Sequence, residues 1–539
     1  MNVVSELTRL ENEQLVRQLI AEDPAYIFKH ALVQDAAYHS LLKQDRQHLH
    51  RVIGQALERA YPDRLDELAA IIAGHFESAD DARQALAYLD RAAAWARRAF
   101  AHQEQAALLA RAIALAERTG DSARVADLYA RRGNALLNLS AWQDAKRDLE
   151  AALEHLASDA LAERASVLLD LADAYRWLWD TATEKRLAEE ALALAERTGR
   201  EDLICDALCE IAFAHLSDGR TQQALELYER AFGRAGKTHA ASIRQGYEFA
   251  GLAHYWVGNS PAAVEYNQNA VQLARETFDT FTLTRGWSNL ALAQMMGGAY
   301  GAALDAFREV REFARQHGGG AWFARAVAME GGMYLDLFDY AHAESLAFEA
   351  RDLARRFKFP PAAVSAAIDL MFNYTRRGEM NRAEKFGREV AEAIPATYGN
   401  HRWLWENRFV QARAELALAR GDDANALELA TESLAQSRAT NRVKYQTAAL
   451  ETRAKALAQQ DRRREAIADL RAAVELARPT GDPLMFLRAV AALAALEGDD
   501  LLSSEARARA RQISDALPAG NLRARFQAFA AEWVGFAEG

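Results

Sequence analysis

Gly233-Arg-Ala-Gly-Lys-Thr238 is the segment of this chain closest to a phosphate-binding loop. Such a loop needs a strand, a glycine at each end and a Lys-Ser/Thr pair opening a helix, so that backbone N–H groups cradle the phosphates. The first glycine would fall at Ala231, and Leu225 to Phe232 read as helix, so the segment reads as a Gly-rich connection. Cys205 and Cys209 lie one helical turn apart and, with His215, could supply soft metal ligands. Closed metal sites take four ligands at tighter spacing, and thiols among Leu208, Ile211 and Phe213 read as packing. His48 and His50 beside Arg46 and Arg51 could form a small anion site, or a solvated helical face. The paired acids Asp80-Asp81, Asp422-Asp423 and Asp499-Asp500 stand at helix starts, where capping accounts for them without acid–base work. Arg462-Arg463-Arg464 and the alternation Arg507, Arg509, Arg511 lack interleaved aromatics and read as exposed faces, not nucleic-acid contacts. There is no Ser-His-Asp elbow and no His-Glu-x-x-His. The residues point to a protein that is not an enzyme, with no metal and no cofactor.

The elements that would position these residues are set by a repeat. Leu115-Ala-Glu-Arg-Thr-Gly-Asp121 recurs from Leu194 and Leu273, with weaker copies from Leu353 and Leu476; the first steps are 79, 79 and 80 residues. Turn markers at Gly219, Gly258, Gly298, Phe338, Gly378 and Gly421 are 39 to 43 residues apart, and Ser140 is an earlier member. The unit is therefore a helix–turn–helix of about 40 residues, the signature of a solenoid. Five residues after the marker stand Ala145, Ala224, Ala263, Ala303, Ala343, Ala383 and Ala426. Seven before it stand Gly133, Ala212, Gly251, Ala291, Gly331, Met371 and Ala414. Small residues at facing positions let two antiparallel helices approach closely, with Leu149, Tyr228 and Phe307 filling the space beside them. Ser260-Pro261 is expected to start a helix with a capping hydroxyl, and Gly120 and Gly199 to end helices.

These columns resemble the tetratricopeptide repeat (TPR), as in Ser140-Ala-Trp-Gln-Asp-Ala145 and Gly298-Ala-Tyr-Gly-Ala-Ala303. The unit exceeds the usual 34 or so residues and is similar to the extended variant of large bacterial regulators. The expected fold is all-α: a superhelical solenoid of about eleven TPR-like helical hairpins over residues 79–517, with a C-terminal capping helix in 518–539. Residues 44–78 are expected to be a helical linker.

The first hundred residues show no clear 40-residue register. Tyr26-Ile-Phe28 is β-prone, and Lys29 to Leu42 reads as a helix with apolar Leu32, Val33, Ala36, Ala37 and Leu41. A strand entering a helix through Phe28-Lys29-His30 resembles the end of the winged-helix domain of STAND signalling ATPases. The resemblance implies a partial winged helix in 1–43 and a nucleotide-sensing role for His30, although Ala31 stands where an acid is usual. Tyr26 to Leu42, Arg51 to Leu57 and Leu68 to Phe76 together resemble bacterial regulators in which a class III adenylate or guanylate cyclase and an AAA-like ATPase precede a repeat tail. Neither cyclase nor ATPase is present in this sequence, which on that resemblance is a fragment, a split gene product or a truncated gene model.

What remains is a groove. The first helices of a stacked solenoid line its concave face. Two residues before the marker stand Asn138, Ser217, Trp256, Met296, Asp336 and Arg376, and neighbouring columns add Trp177 and Tyr255. Asn138, Trp177, Tyr255, Trp256, Asp336 and Arg376 are the candidate partner-binding residues; the aromatics at this spacing fit inter-repeat core as well. The 65 basic and 76 acidic side chains give a net charge of −11, which excludes a dedicated nucleic-acid or anionic-membrane surface. Two cysteines, no signal-peptide pattern and no apolar run near membrane-spanning length suggest a cytoplasmic protein. The function expected is a non-enzymatic scaffold for a protein or peptide partner, as the regulatory or sensory tail of a signalling ATPase or cyclase. The alternatives are a nucleotide-regulated STAND subunit acting with an ATPase on another chain, and a solenoid sensing a small ligand.

Overall fold

In the computed structural model the described residues are 3–19, 25–235, 243, 245–318, 320–396 and 401–534. Gly236, Lys237 and Thr238 of the Gly-rich segment lie outside them, while Gly233 to Ala235 finish the helix Thr221–Ala235. Apart from one antiparallel hairpin, Val16–Leu19 paired with Ala25–Phe28, the elements among the described residues are helical. The chain divides into two compact units, residues 1–98 with 104–128 and residues 99–103 with 129–539. No helix among the described residues is long and apolar enough to cross a membrane.

In the first unit the β-prone run is the second strand of the hairpin, and a helix over Ala31–Ser40 follows it. That helix buries none of its residues. Its neighbours Lys43–Ala60 and Leu65–Ser78 pack where Gly54 lets the Phe76 ring approach; a Cβ on Gly54 would stand 3.0 Å from Phe76 Cζ. His50 is not free in solvent: its Nδ1 meets His75 Nδ1 at 2.9 Å and its Nε2 meets the Tyr38 hydroxyl at 3.1 Å.

From Ala82 to Ala516 the described helices follow one another in eleven pairs, and the helix Asn521–Val534 ends the array. The chain is an all-α, TPR-like superhelical solenoid. Each turn marker has a left-handed backbone: φ is +80° at Gly219, +82° at Gly258 and +80° at Gly298, but also +63° at Phe338 and +59° at Ser140. The register is thus a backbone conformation that glycine adopts most cheaply. Phe338 offsets the strain by stacking on Phe529, with ring centroids 3.7 Å apart. The small-residue columns meet as the spacing requires. A Cβ on Gly133 would stand 2.7 Å from Leu149 Cγ, and Ala145, Ala224, Ala263 and Ala303 are fully buried. One cap differs from expectation: Asn259 caps the helix Ser260–Thr277 by accepting from Ala262 N, while Ser260 Oγ donates to the Ala293 carbonyl.

The two helices of a pair have different surroundings. Thr280–Met296 buries fourteen of its seventeen residues, its partner Tyr300–His317 only five of eighteen. First helices are enclosed on both sides because the second unit winds onto itself. The His401 ring donates to the Leu216 carbonyl 185 residues away, and Arg525 pairs with Asp339 across 186. Gly219 lies under Trp403, Gly258 under Val443 and Gly298 under Pro483, at the same sequence distance of 184 to 185 residues. Between four and five repeats therefore complete one turn.

Candidate functional site: an interior cavity

The winding leaves a cavity of about 160 Å³ among the first helices of the second unit. Trp177, Tyr255, Trp256, Asp336 and Arg376 line it. Asn138 does not: its Oδ1 accepts from Thr280 N at 2.9 Å, joining the end of one repeat to the start of another. Nor does His30, which is exposed before the helix Ala31–Ser40 in the first unit. Within the groove expected from the sequence, the Trp256 ring is covered. Trp256 is 3% exposed, held edge-on by His401 and Trp403 at centroid distances of 5.0 Å each and by the Arg442 guanidinium at 5.4 Å.

One end of the cavity is aromatic. Trp177 packs edge-on against Phe281 at 5.0 Å and Trp322 at 5.8 Å, and Trp179 lies 6.0 Å from Phe359. Phe281, Trp322 and Phe359 each stand at the start of a first helix, so successive repeats deliver them to the end of Leu161–Trp177. The other end is charged. Arg376 donates to Glu415 at 3.1 Å, Arg488 to Glu451 at 3.1 Å and Arg408 to Asp369; Lys444 pairs with Asp336. Ser365 Oγ accepts from both Arg325 and Arg408, at 2.8 and 2.9 Å. The Tyr445 hydroxyl accepts from Arg408 Nε at 2.9 Å. Burial pushes the Asp369 carboxyl up although Arg408 pulls it down. Burial works against Asp336 ionising as well, but Lys444 outweighs it and the carboxyl falls below its ordinary value. Burial lowers Arg325 to about 9, helped by the like charge of Arg408, and lowers Arg442 too. His401 is depressed to about 3 by burial and is therefore neutral, donating to Leu216.

A second buried charge cluster lies outside the cavity lining. Arg176, fully buried, donates to Glu184 Oε1 and Gln245 Oε1 at 2.9 Å each and to Asp173 at 3.2 Å, pairs with Glu210, and rests 4.0 Å from the Phe213 ring centre. One guanidinium cannot neutralise three carboxylates. Burial accordingly lifts Glu184 to about 8 against the pull of Arg176, and Glu210 also rises.

The chemistry weighed from the sequence resolves locally. Cys205 and Cys209 are buried thiols, Cys205 donating to the Ala231 carbonyl at 3.2 Å. Asp422 and Asp499 cap their helices, accepting from Asn425 N and Leu501 N. The sequence reading missed Arg325, Arg408 and Arg442. The first two belong to a polar column thirteen residues before the marker, formed by Asp206, Gln245, Arg285, Arg325, Ser365 and Arg408. Inspecting that register would have exposed them.

No family model matches the chain and no curated protein does. Among solved structures the chain is similar to a Rap protein complexed with Competence and Sporulation Factor: 14% identity, TM-score 0.51, covering 66% of this chain and 98% of that one. A STAND protein with a tetratricopeptide repeat sensor from Pyrococcus horikoshii aligns with 14% identity and a TM-score of 0.43, over 73% of this chain and 59% of that one. Yeast Tom70 aligns with 14% identity and a TM-score of 0.32, over 91% and 96%. At this identity the likeness to the Rap protein is one of fold.

Proposed function

We propose that this chain is a non-enzymatic recognition module. On this reading it is a TPR-like scaffold for a protein or peptide partner, the regulatory tail of a cytoplasmic bacterial signalling ATPase or cyclase, and the interior cavity is its sensory site. The observation that carries this is convergence: five of the six groove candidates, from four separate repeats, line one cavity. A structural role alone does not call for so many ionised groups in the interior, since each costs desolvation energy and a hydrophobic replacement is often as stable. The Rap structure, a protein of this fold complexed with another factor, supports reading such an array as a recognition device. In the same scheme His30 would serve a nucleotide-binding partner on another chain, being exposed just after a strand.

Gly332 offers a clean test. It lines the cavity, and a Cβ there would meet within 4 Å only Asp369 Oδ2, at 3.8 Å. Gly332→Leu should therefore fill the cavity without breaking the helix Gly320–Asp336. Protein isolated natively from its own cells should carry a bound partner or ligand by native mass spectrometry, and the variant should lose it while melting no lower than the parent. Identical retention by both would contradict the assignment. The purified chain should also turn over no ATP or GTP and form no cyclic nucleotide; turnover abolished by Lys237→Ala would contradict the non-enzymatic reading.

A further inference from the structure

Six cations line the cavity: Arg325, Arg376, Arg408, Arg442, Lys444 and Arg488. Four have carboxylate partners, Glu415 for Arg376, Asp369 for Arg408, Asp336 for Lys444 and Glu451 for Arg488. Arg325 and Arg442 have none among the described residues. The one hydrogen bond of the Arg325 guanidinium goes to a neutral hydroxyl, Ser365 Oγ. Arg442 is 5% exposed and its Nε has no hydrogen-bond partner. Arg325 is half-buried; for Arg442 the charge is buried without compensation, which is among the costliest features a fold can carry.

Both guanidiniums lie against ring faces. Arg325 is 4.8 Å from the centre of Trp405, and Arg442 is 5.4 Å from Trp256 and 5.3 Å from Tyr445. Stacking recovers part of the lost hydration but leaves in-plane N–H groups of Arg442, and those of Arg325 other than the one donated to Ser365, for a ligand; such groups grip carboxylate or phosphate oxygens in pairs. Trp177, Trp322, Phe213 and Phe249 add aromatic surface to a wall that also carries Met295 and Met333. The volume of about 160 Å³ matches a single six-membered ring, since an apolar cavity of about 150 Å³ holds benzene.

We propose that the cavity binds a small organic anion, a carboxylate or phosphate on a planar, single-ring body, with Arg325 and Arg442 as its counter-charges. This rests on the reading of the interior as the sensory site and names the ligand class for it.

The test uses benzoate, phenyl phosphate and neutral benzamide as probes of the whole chain, by titration calorimetry and thermal melting. The proposal expects benzoate or phenyl phosphate to bind, the better of the two telling carboxylate from phosphate, and benzamide to bind at least about tenfold more weakly, one charged hydrogen bond's worth. Arg325→Gln and Arg442→Gln should each weaken anion binding by a similar factor. Arg442→Gln should also raise the melting temperature of the empty protein, because it removes an unpaired buried charge, and Arg325→Gln, at a half-buried position, should leave it no lower, whereas Arg408→Gln should lower it by orphaning Asp369. Equal binding of benzamide, untouched by the two variants, would overturn the anion assignment while leaving the interior a recognition site. Failure of all three probes would overturn the ligand class, and the Gly332→Leu comparison would then decide the broader reading by itself. A fall in melting temperature for Arg325→Gln and Arg442→Gln equal to that of Arg408→Gln would make these arginines structural and overturn the proposal.

Discussion

Gly258 sits directly beneath Thr480: a β-carbon on the glycine would stand 2.7 Å from the threonine Cγ2. The two belong to repeats a full superhelical turn apart, so the glycine is needed twice, for its φ of +82° and for the approach of the next turn. Gly421 has the same left-handed backbone, φ +74°, with nothing within 4 Å of its missing Cβ. Gly421→Ala should cost only the backbone term, about 1–2 kcal/mol. Gly258→Ala should add overpacking of about 1–3 kcal/mol. Denaturant unfolding of the two variants side by side measures the difference; equal losses would mean that the turns do not touch.

Trp256→Ala should destabilise the protein by about 3–5 kcal/mol, the range for a buried aromatic. The ring is clasped by His401, Trp403 and Arg442, and its loss would also leave the Arg442 face uncovered. The sequence reading allowed the opposite outcome, weaker partner binding with the fold nearly unaffected. An unchanged melting temperature would place the ring on an open surface after all.

The Arg176 cluster makes stability depend on pH. Glu184 titrates near its ordinary 4.5 in the unfolded chain but near 8 in the fold, where burial outweighs Arg176. Between these values the folded protein keeps a proton that the unfolded chain has lost, so stability falls as pH rises from about 4.5 to about 8. The slope should be roughly 1 kcal/mol per pH unit. Glu184→Gln, neutral throughout, should make it shallower, leaving the part that comes from the raised Glu210. Urea midpoints at several pH values check this; a parent protein that gains stability across the window would contradict it.

How much was legible follows from how local each cause is. The marker register was readable because a left-handed turn constrains single residues, and it held even at Phe338, where an aromatic contact replaces glycine. The columns that join Gly133 to Leu149 were readable because the two helices of a hairpin meet sixteen residues apart. The strand at Tyr26–Phe28 followed from β-prone residues alone, but its hairpin partner Val16–Leu19 did not. The cavity was not readable as such. Its position depends on the small rotation between successive repeats, summed over about 185 residues, and no local spacing records that sum. Five of its wall residues were found by their register, but the covering of Trp256 and the pairing of Lys444 with Asp336 were not. The cap at Ser260 was misassigned because the neighbouring Asn259 competes for the same backbone N–H, and the serine hydroxyl finds the Ala293 carbonyl instead.

First helices from distant repeats meet around one interior space, and the Lys444–Asp336 pair reports on that directly. The two residues are 108 apart in sequence and in contact at the cavity wall. A zero-length carbodiimide reaction on the folded protein, read by peptide mass spectrometry, should join the Lys444 amine to the Asp336 carboxyl, and denaturant should abolish the product. Lys146 and Glu150, 3.7 Å apart on one helix, serve as the local control. Formation of the Lys146–Glu150 product with no Lys444–Asp336 product would contradict the closed winding, and with it the cavity on which the proposed function stands.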